Sequence, residues 1–223
     1  MYGGDQTSAN YIGQFMPYKY NDIYVCVYAT QPQDRVAQVY GGLVYMDFSQ
    51  DLMARHGHGR YEPLDPSLLD ALPSLWLLYG DEASESGAVH ADVRRRWDVG
   101  EAGVREGMAA IAGLAVRGRA ALEAGDALIF SDWMDEYFEC RRALFGDAVV
   151  GAANLRMVAV ARSAGAAAKL PGSGGAVVAM CRERGEAAEA RLAAACAAAG
   201  VALTRIVVAP PRVTVPSLPP AAT

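Results

Sequence analysis

The stretch Ala166-Ala167-Ala168-Lys169-Leu170-Pro171-Gly172-Ser173-Gly174-Gly175-Ala176-Val177-Val178-Ala179-Met180 constrains the fold more than any other part of this chain. Glycines and one serine lie between two short apolar runs. Glycine reaches backbone conformations closed to other residues and lets a ligand approach the main chain. A turn built this way can aim several N–H groups at an anion. The order of elements around it matters as much. A Walker loop or a Rossmann turn runs strand, loop, helix, with the phosphate on the helix N-terminus. Here Ala176 to Met180 favours a strand, and the next helical pattern begins only near Glu183. The order strand, turn, strand, helix argues against both dinucleotide motifs. On spacing alone, a structural hairpin and a phosphate site both remain open.

The remaining pattern fills in an α+β chain. Asn21 to Thr30 is rich in aromatic and β-branched residues and reads as a strand, as does Leu43 to Phe48. A connection marked by Pro63, Pro66 and Pro73 leads to the short strand Leu75 to Tyr79. Helical composition and spacing run from Ala88 to Trp97 and from Glu101 to Glu123. Asp126 can cap a further helix ending at Phe145, and Asn154 to Ser163 is helical again. An Ala-rich helix, Glu183 to Ala199, stops at Gly200 and leads to a closing strand, Val201 to Val208. The strands Leu75–Tyr79, Ala167–Leu170, Ala176–Met180 and Val201–Val208 are expected to share one sheet, with the long helices on one face. Trp76 reads as core, and Trp97 and Trp133 as half-buried helix anchors.

Bulk properties exclude several classes. A chain of 223 residues with 52% apolar and 20% charged residues is globular rather than disordered. A net charge of −5 disfavours non-specific nucleic-acid binding. Cys26, Cys140, Cys181 and Cys196 form no C-x-x-C pair, which suits free thiols in a reducing compartment. No signal pattern and no membrane-length apolar run is present, so neither nucleic acid nor membrane is an expected partner and the cytoplasm is the expected location. His56, Gly57 and His58, with His90, lack a Cys or carboxylate at ligand spacing, so no metal site is expected on them.

Lys-x-x-Gly-Ser-Gly-Gly followed by an apolar strand resembles the C-terminal motif of the GHMP kinases, a family of small-molecule kinases. Gln33-Asp34-Arg35-Val36-Ala37-Gln38-Val39-Tyr40-Gly41-Gly42-Leu43 resembles the region of that family's catalytic aspartate. Three further segments fit, closest to the glucuronokinase branch of plants and algae: Gly57-His58-Gly59-x-Tyr61-x-Pro63-Leu64-Asp65, Ser86-Gly87-x-Val89-His90-x-x-Val93-Arg94-x-Arg96-Trp97, and Arg141-Arg142-x-x-Phe145-Gly146-Asp147. The resemblance runs from about Gln33 to Val208, and its pieces stand in the family's order.

The resemblance implies an ATP- and Mg2+-dependent sugar-1-kinase that phosphorylates D-glucuronate at its anomeric hydroxyl. It implies an antiparallel sheet backed by helices, preceded by a remnant of the N-terminal kinase domain. Asp34 would act on the sugar hydroxyl, since phosphoryl transfer needs a carboxylate to take or orient that proton. The other reading of Asp34 is a helix N-cap. Tyr40, Gly41, Gly42, Lys169, Gly172, Ser173, Gly174 and Gly175 would line the nucleotide and substrate site; Lys169 can equally be a surface charge. Arg94, Arg96, Arg141 and Arg142 are candidates for the sugar carboxylate, because a guanidinium pairs with it in bidentate fashion. A solvated helix face is the alternative for each.

Departures set the limits of this reading. Residues 1–30 do not resemble the family's N-terminal lobe, and its phosphate loop and magnesium ligands are missing from them. Pro32 interrupts the helix that the family pattern would place before Asp34, and Pro171 stands where the pattern has Thr or Ser. The expected organisation is a divergent start and lobe remnant over 1–62, the kinase C-terminal domain over 63–209, and a Pro-rich disordered tail over 210–223. One glycine turn supplies part of a phosphate cradle, so weak ATP binding is expected. A non-catalytic fragment or interaction protein retaining the kinase C-terminal fold is the alternative.

Overall fold

Two antiparallel sheets organise the computed structural model, which describes residues 21–24, 32–65, 67–80, 95–172 and 174–212. The smaller sheet has the order β1 (Asn21–Tyr24), β2 (Val44–Asp47), β3 (Arg60–Pro63). Residues 25–30 of the expected first strand lie outside the described residues. Helix α1 (Pro32–Tyr40) leads into β2, and α2 (Gln50–His56) joins β2 to β3. Proline suits the first helical position, where its fixed φ is already helical and its missing N–H has no partner to lose. The helix therefore starts at Pro32, and Asp34 stands inside its first turn rather than at the N-cap. A carboxylate there complements the helix dipole. Side chains alternate along β2. Val44 and Met46 pack with Val36 in a small core, while Leu43 and Tyr45 join the main core.

The larger sheet has the order β5 (Ala166–Lys169), β6 (Ala176–Cys181), β4 (Leu75–Tyr79), β7 (Ala202–Arg205), with every pairing antiparallel. These are the four strands expected to share a sheet. β7 is shorter than its apolar run suggests, although the Ile206 N–H still bonds the Leu75 carbonyl at 2.8 Å. The helices are α3 (Ser67–Asp70), α4 (Ala102–Glu123), α5 (Ala127–Phe145), α6 (Asp147–Val150), α7 (Ala152–Ser163) and α8 (Glu186–Ala199). Residues 95–98 are also helical; the rest of the helix expected from Ala88 lies outside the described residues.

The long helices α4 and α5 lie on one face of the larger sheet, as expected, and the shorter α7 and α8 cover the other. Leu75, Ala167, Val178 and Met180 pack with Met108 and Ile111 of α4 and Trp133 and Met134 of α5. Leu78, Ala168, Val177 and Ala179 pack with Met157 and Val158 of α7 and Leu192 and Cys196 of α8. The cause is legible in β6, where every residue from Val177 to Cys181 is buried. A strand without polar alternation has no face to leave in water.

Helix α5 also closes one edge of the sheet. Asp135 accepts the Ala168 N–H of edge strand β5 at 3.0 Å, and takes Arg162 and Arg182 at 2.8 Å each. An edge N–H so occupied cannot template a further strand. The start of α5 is the expected cap, with Asp126 accepting the Ile129 N–H at 2.9 Å. Trp133 is only 4% exposed, so it belongs to the core rather than to a half-buried anchor, whereas Trp76 and Trp97 are the half-buried ones. Among the described residues no helix is long and apolar enough to cross a membrane.

Candidate active site

The glycine turn between β5 and β6 is the hairpin read from the sequence, with no helix directly after it. Lys169 ends β5. Its ammonium sits 4.6 Å from the ring centre of Tyr137 and 5.8 Å from that of Trp133, both on α5. Such seats hold a cation against an aromatic face. Leu170 is buried and ties the first arm of the hairpin to the core. Gly174 and Gly175 follow with φ of 138° and 82°, conformations that L side chains avoid. Ser173 lies outside the described residues.

Gly172 differs from its neighbours. Its φ is not in the left-handed region, and a Cβ added to it would meet nothing within 4 Å. Among the described residues nothing therefore requires glycine there. Beneath the turn, Asn154 of α7 accepts the Gly175 N–H at 2.9 Å and donates to the Val150 carbonyl at 2.7 Å. Asn154 was not singled out from the sequence. Its one signal there is a lone amide residue between Ala153 and Leu155 at the start of an apolar helix.

Strand register places the candidate residues relative to one another. Ala176 and Ala202 both pair with Tyr79, so the glycine turn sits at the Tyr79 end of the sheet. Met180 pairs with Leu75, and residues after Arg205 leave at that opposite end. There the chain returns to α1: the Gly42 N–H bonds Ala209 at 2.9 Å, and the Arg212 N–H bonds Tyr40 at 2.6 Å. Arg212 also donates to the Gln38 carbonyl at 3.2 Å. A Cβ on Gly41 would lie 2.5 Å from the Pro210 carbonyl oxygen. Tyr40, Gly41 and Gly42 are thus packed by Pro210, Pro211 and Arg212, the first residues of the segment read as a tail. The structure does not bring them to the glycine turn, since β4 alone spans roughly 14 Å at about 3.4 Å per residue. The side chain of Asp34 lies outside the described residues.

The arginines part company in the same way. Arg94 lies outside the described residues. Arg96 sets Nε and a terminal nitrogen on Glu101, at 3.0 and 2.6 Å, and donates to the Leu144 carbonyl. Arg142 is paired with Asp147, and that hydrogen bond holds the Asp147 carboxyl below the usual carboxylate range. Arg141 lies 5.2 Å from the Phe145 ring centre and forms no carboxylate pair among the described residues.

A cleft of ≈ 730 Å³ opens at the Leu75 end, away from the glycine turn, lined in part by Ser74, Arg184, Glu189, Arg205, Pro210 and Pro211. Several of its polar groups are already held within the chain. Arg205 donates to Ser74 at 3.1 Å, Ser74 donates to Glu189, and Arg184 donates to the Asp70 and Ala71 carbonyls. Among the described residues no group of three or more His, Cys, Asp or Glu could hold a metal ion, and His56 and His58 sit with ring centres 6.0 Å apart. Burial pushes the thiols of Cys140, Cys181 and Cys196 up, which leaves them poor nucleophiles.

The glycine hairpin lies between two strands of a four-stranded antiparallel sheet, and the family described as "GHMP kinases C terminal" matches residues 119–199, from α4 through that hairpin to the end of α8. The chain is 47% identical over 178 residues to glucuronokinase 1 of Arabidopsis thaliana, covering 80% of this chain and 48% of that protein. It is 51% identical over 152 residues to probable glucuronokinase 2 of the same plant, covering 68% of this chain and 41% of that protein. The chain therefore spans about half the length of the curated relatives it matches. Among solved structures, L. major mevalonate kinase in complex with R-mevalonate aligns with a TM-score of 0.64 at 20% identity, over 82% of this chain and 54% of that one. At that identity the likeness is one of fold.

Proposed function

We propose that this chain contributes the C-terminal part of a sugar-1-kinase, which passes the γ-phosphoryl group of ATP to the anomeric hydroxyl of D-glucuronate and forms glucuronate 1-phosphate. The identity to two glucuronokinases supports the substrate class. In this reading Asp34 receives or orients the proton of the sugar hydroxyl. The N–H groups of Gly172 and Gly174 face the phosphates, with Lys169 adding charge at the root of the turn. Among the described candidates Arg141 is the one for the sugar carboxylate, because Arg96 and Arg142 already hold carboxylates of this chain; Arg94 lies outside the described residues. Magnesium would supply positive charge for the transferred phosphoryl group, and among the described residues no cluster of carboxylates and histidines is placed to hold it. Residues 1–62 form the lobe remnant with β1, β2 and most of β3, and residues 63–209 form the kinase C-terminal domain. The unpaired thiols of Cys140, Cys181 and Cys196 suit the cytoplasm.

Gly172 is the observation that carries this reading. Among the described residues nothing gives an internal reason for glycine there, which supports close approach of a ligand to its backbone. Gly172→Ala should leave the melting temperature within a degree or so and weaken ATP binding on the order of tenfold, ~1.4 kcal/mol. Calorimetric titration of both proteins checks it. An unchanged ATP affinity would remove the phosphates from this turn. Glucuronate should bind more tightly than glucose, and Arg141→Ala should erase that preference.

A further inference from the structure

We infer that Asn154 is a positioning residue that divides the glycine turn into an anchored end and a presenting end. The inference rests on the reading of this turn as the phosphate-facing one. Asn154 is 4% exposed, and both ends of its amide are used. Nδ2 donates to the Val150 carbonyl at 2.7 Å, and Oδ1 accepts the Gly175 N–H at 2.9 Å. Val150 ends α6, and the last carbonyls of a helix have no partner within it. The Asn154 amide thus bridges a helix end to a turn 21 residues further along the chain. A buried amide with two fixed partners has little freedom to swing.

The turn needs such a fixture. Gly174 and Gly175 are consecutive glycines with φ of 138° and 82°, and glycine populates several alternative wells about as readily. A buried acceptor that takes the Gly175 N–H selects one of those wells. It also removes that N–H from the set available to an anion. Among the described residues nothing accepts the N–H of Gly172 or Gly174. The presenting groups are therefore the N–H groups of Gly172 and Gly174, and Gly175, grouped with them in the sequence, is the hinge. Asn154 touches no substrate; it acts on the phosphates through Gly175.

Amide hydrogen exchange on the full chain, resolved to single glycines, tests this directly. In the unaltered protein the Gly175 N–H should exchange at least tenfold more slowly than those of Gly172 and Gly174. Equal rates would overturn the proposal without any variant, so it stays decidable even if a variant fails to fold. Asn154→Leu should bring Gly175 exchange up to that of its neighbours, leave Val178 and Ala179 protected, and weaken ATP binding about tenfold. Asn154→Asp, which keeps the acceptor for Gly175, should retain the slow exchange. A lowered melting temperature in Asn154→Leu with Gly175 exchange and ATP affinity unchanged would mean that the residue only stabilises the fold. Absence of ATP binding in the unaltered chain would count against the functional reading, while the exchange rates would still decide the anchor.

Discussion

Two glycines on one helix should respond to the same substitution with opposite signs. Gly113 and Gly118 both lie inside α4, five residues apart. Alanine gains about 1 kcal/mol over glycine in a helix interior. At Gly113 a new Cβ meets nothing within 4 Å, so Gly113→Ala should stabilise by that amount. At Gly118 the same Cβ would lie 2.7 Å from Cε2, 2.9 Å from Cδ2 and 3.0 Å from Nε1 of Trp133. The indole cannot simply move away. It is 4% exposed, 4.8 Å from the Phe130 ring centre and 6.0 Å from that of Tyr137. Overpacking costs about 1–3 kcal/mol, and with a buried indole that cannot yield, the upper part of that range, about 2–3 kcal/mol, applies. Set against the helix gain, Gly118→Ala should lose roughly 1–2 kcal/mol. The two variants should then differ by roughly 5–10 °C in Tm, given about 2–4 °C per kcal/mol for a chain of this size. Thermal unfolding followed by circular dichroism measures the difference. Because Lys169 rests on the same indole, Gly118→Ala should also disturb the root of the glycine turn. If Gly118→Ala stabilises as much as Gly113→Ala, the close seating of Trp133 on α4 is wrong, and with it the aromatic seat of Lys169.

Arg119 of α4 joins the two sheets, donating to both oxygens of Glu62 on β3 at 2.8 and 3.0 Å while stacking 4.7 Å from the Tyr45 ring centre. The Arg119 hydrogen bond holds the Glu62 carboxyl below its ordinary range, so its contribution is full above the unfolded-state pKa and is lost as pH falls through the lower folded-state value. Glu62→Gln should cost about 0.5–1 kcal/mol at neutral pH and flatten the acid arm of the stability curve below about pH 4; denaturant titrations giving the same acid slope for both proteins would refute the coupling. Gly41→Ala should lose at least about 1–2 kcal/mol from its left-handed backbone alone, and more from the 2.5 Å approach to Pro210. Gly57 has φ 72° and open space around it, so asparagine, which tolerates that conformation, should be accepted at Gly57 and rejected at Gly41; equal urea midpoints for the two asparagine variants would remove the 209–212 strap from the fold.

What could be read in advance followed the length and punctuation of the elements. α4 and α5 run 22 and 19 residues, and the Asp126 cap and the Gly200 stop lie where residue chemistry puts them. The hairpin around Gly172 was legible because β-branched and small apolar residues resume directly after Gly175. α2, β3 and α6 were not, for each is seven residues or fewer and is held by contacts rather than by its own periodicity. β3 even ends on Pro63, a residue usual only at sheet edges. The second helical layer was hidden for a related reason. The Ala-rich start of β5 does not announce that both faces are buried, and α8 is alanine for most of its length, so no single stripe on it points to the sheet.

The candidate site shows a sharper limit. A glycine in a sequence says that something comes close to the backbone, but not whether that thing is a ligand or the chain itself. Gly41 and Gly42 look like a binding turn, yet it is Pro210 and Pro211 that approach them. Gly118 could pass for a helix weakness, and it is the floor beneath Trp133. Gly175 has a left-handed backbone and its N–H is committed to Asn154. Adding a Cβ in thought separates these cases, because only a glycine with ordinary φ and empty space around it lacks an internal cause. Gly80, Gly103, Gly113 and Gly172 meet both conditions among the described residues. Gly103 and Gly113 lie in α4, and Gly80 follows β4 directly. Gly172 stands in a turn where the Gly175 N–H is held by a buried anchor and, among the described residues, nothing accepts that of Gly174. That placement, rather than the density of glycines in the motif, is what directs the search for the phosphates to the Tyr79 end of the sheet.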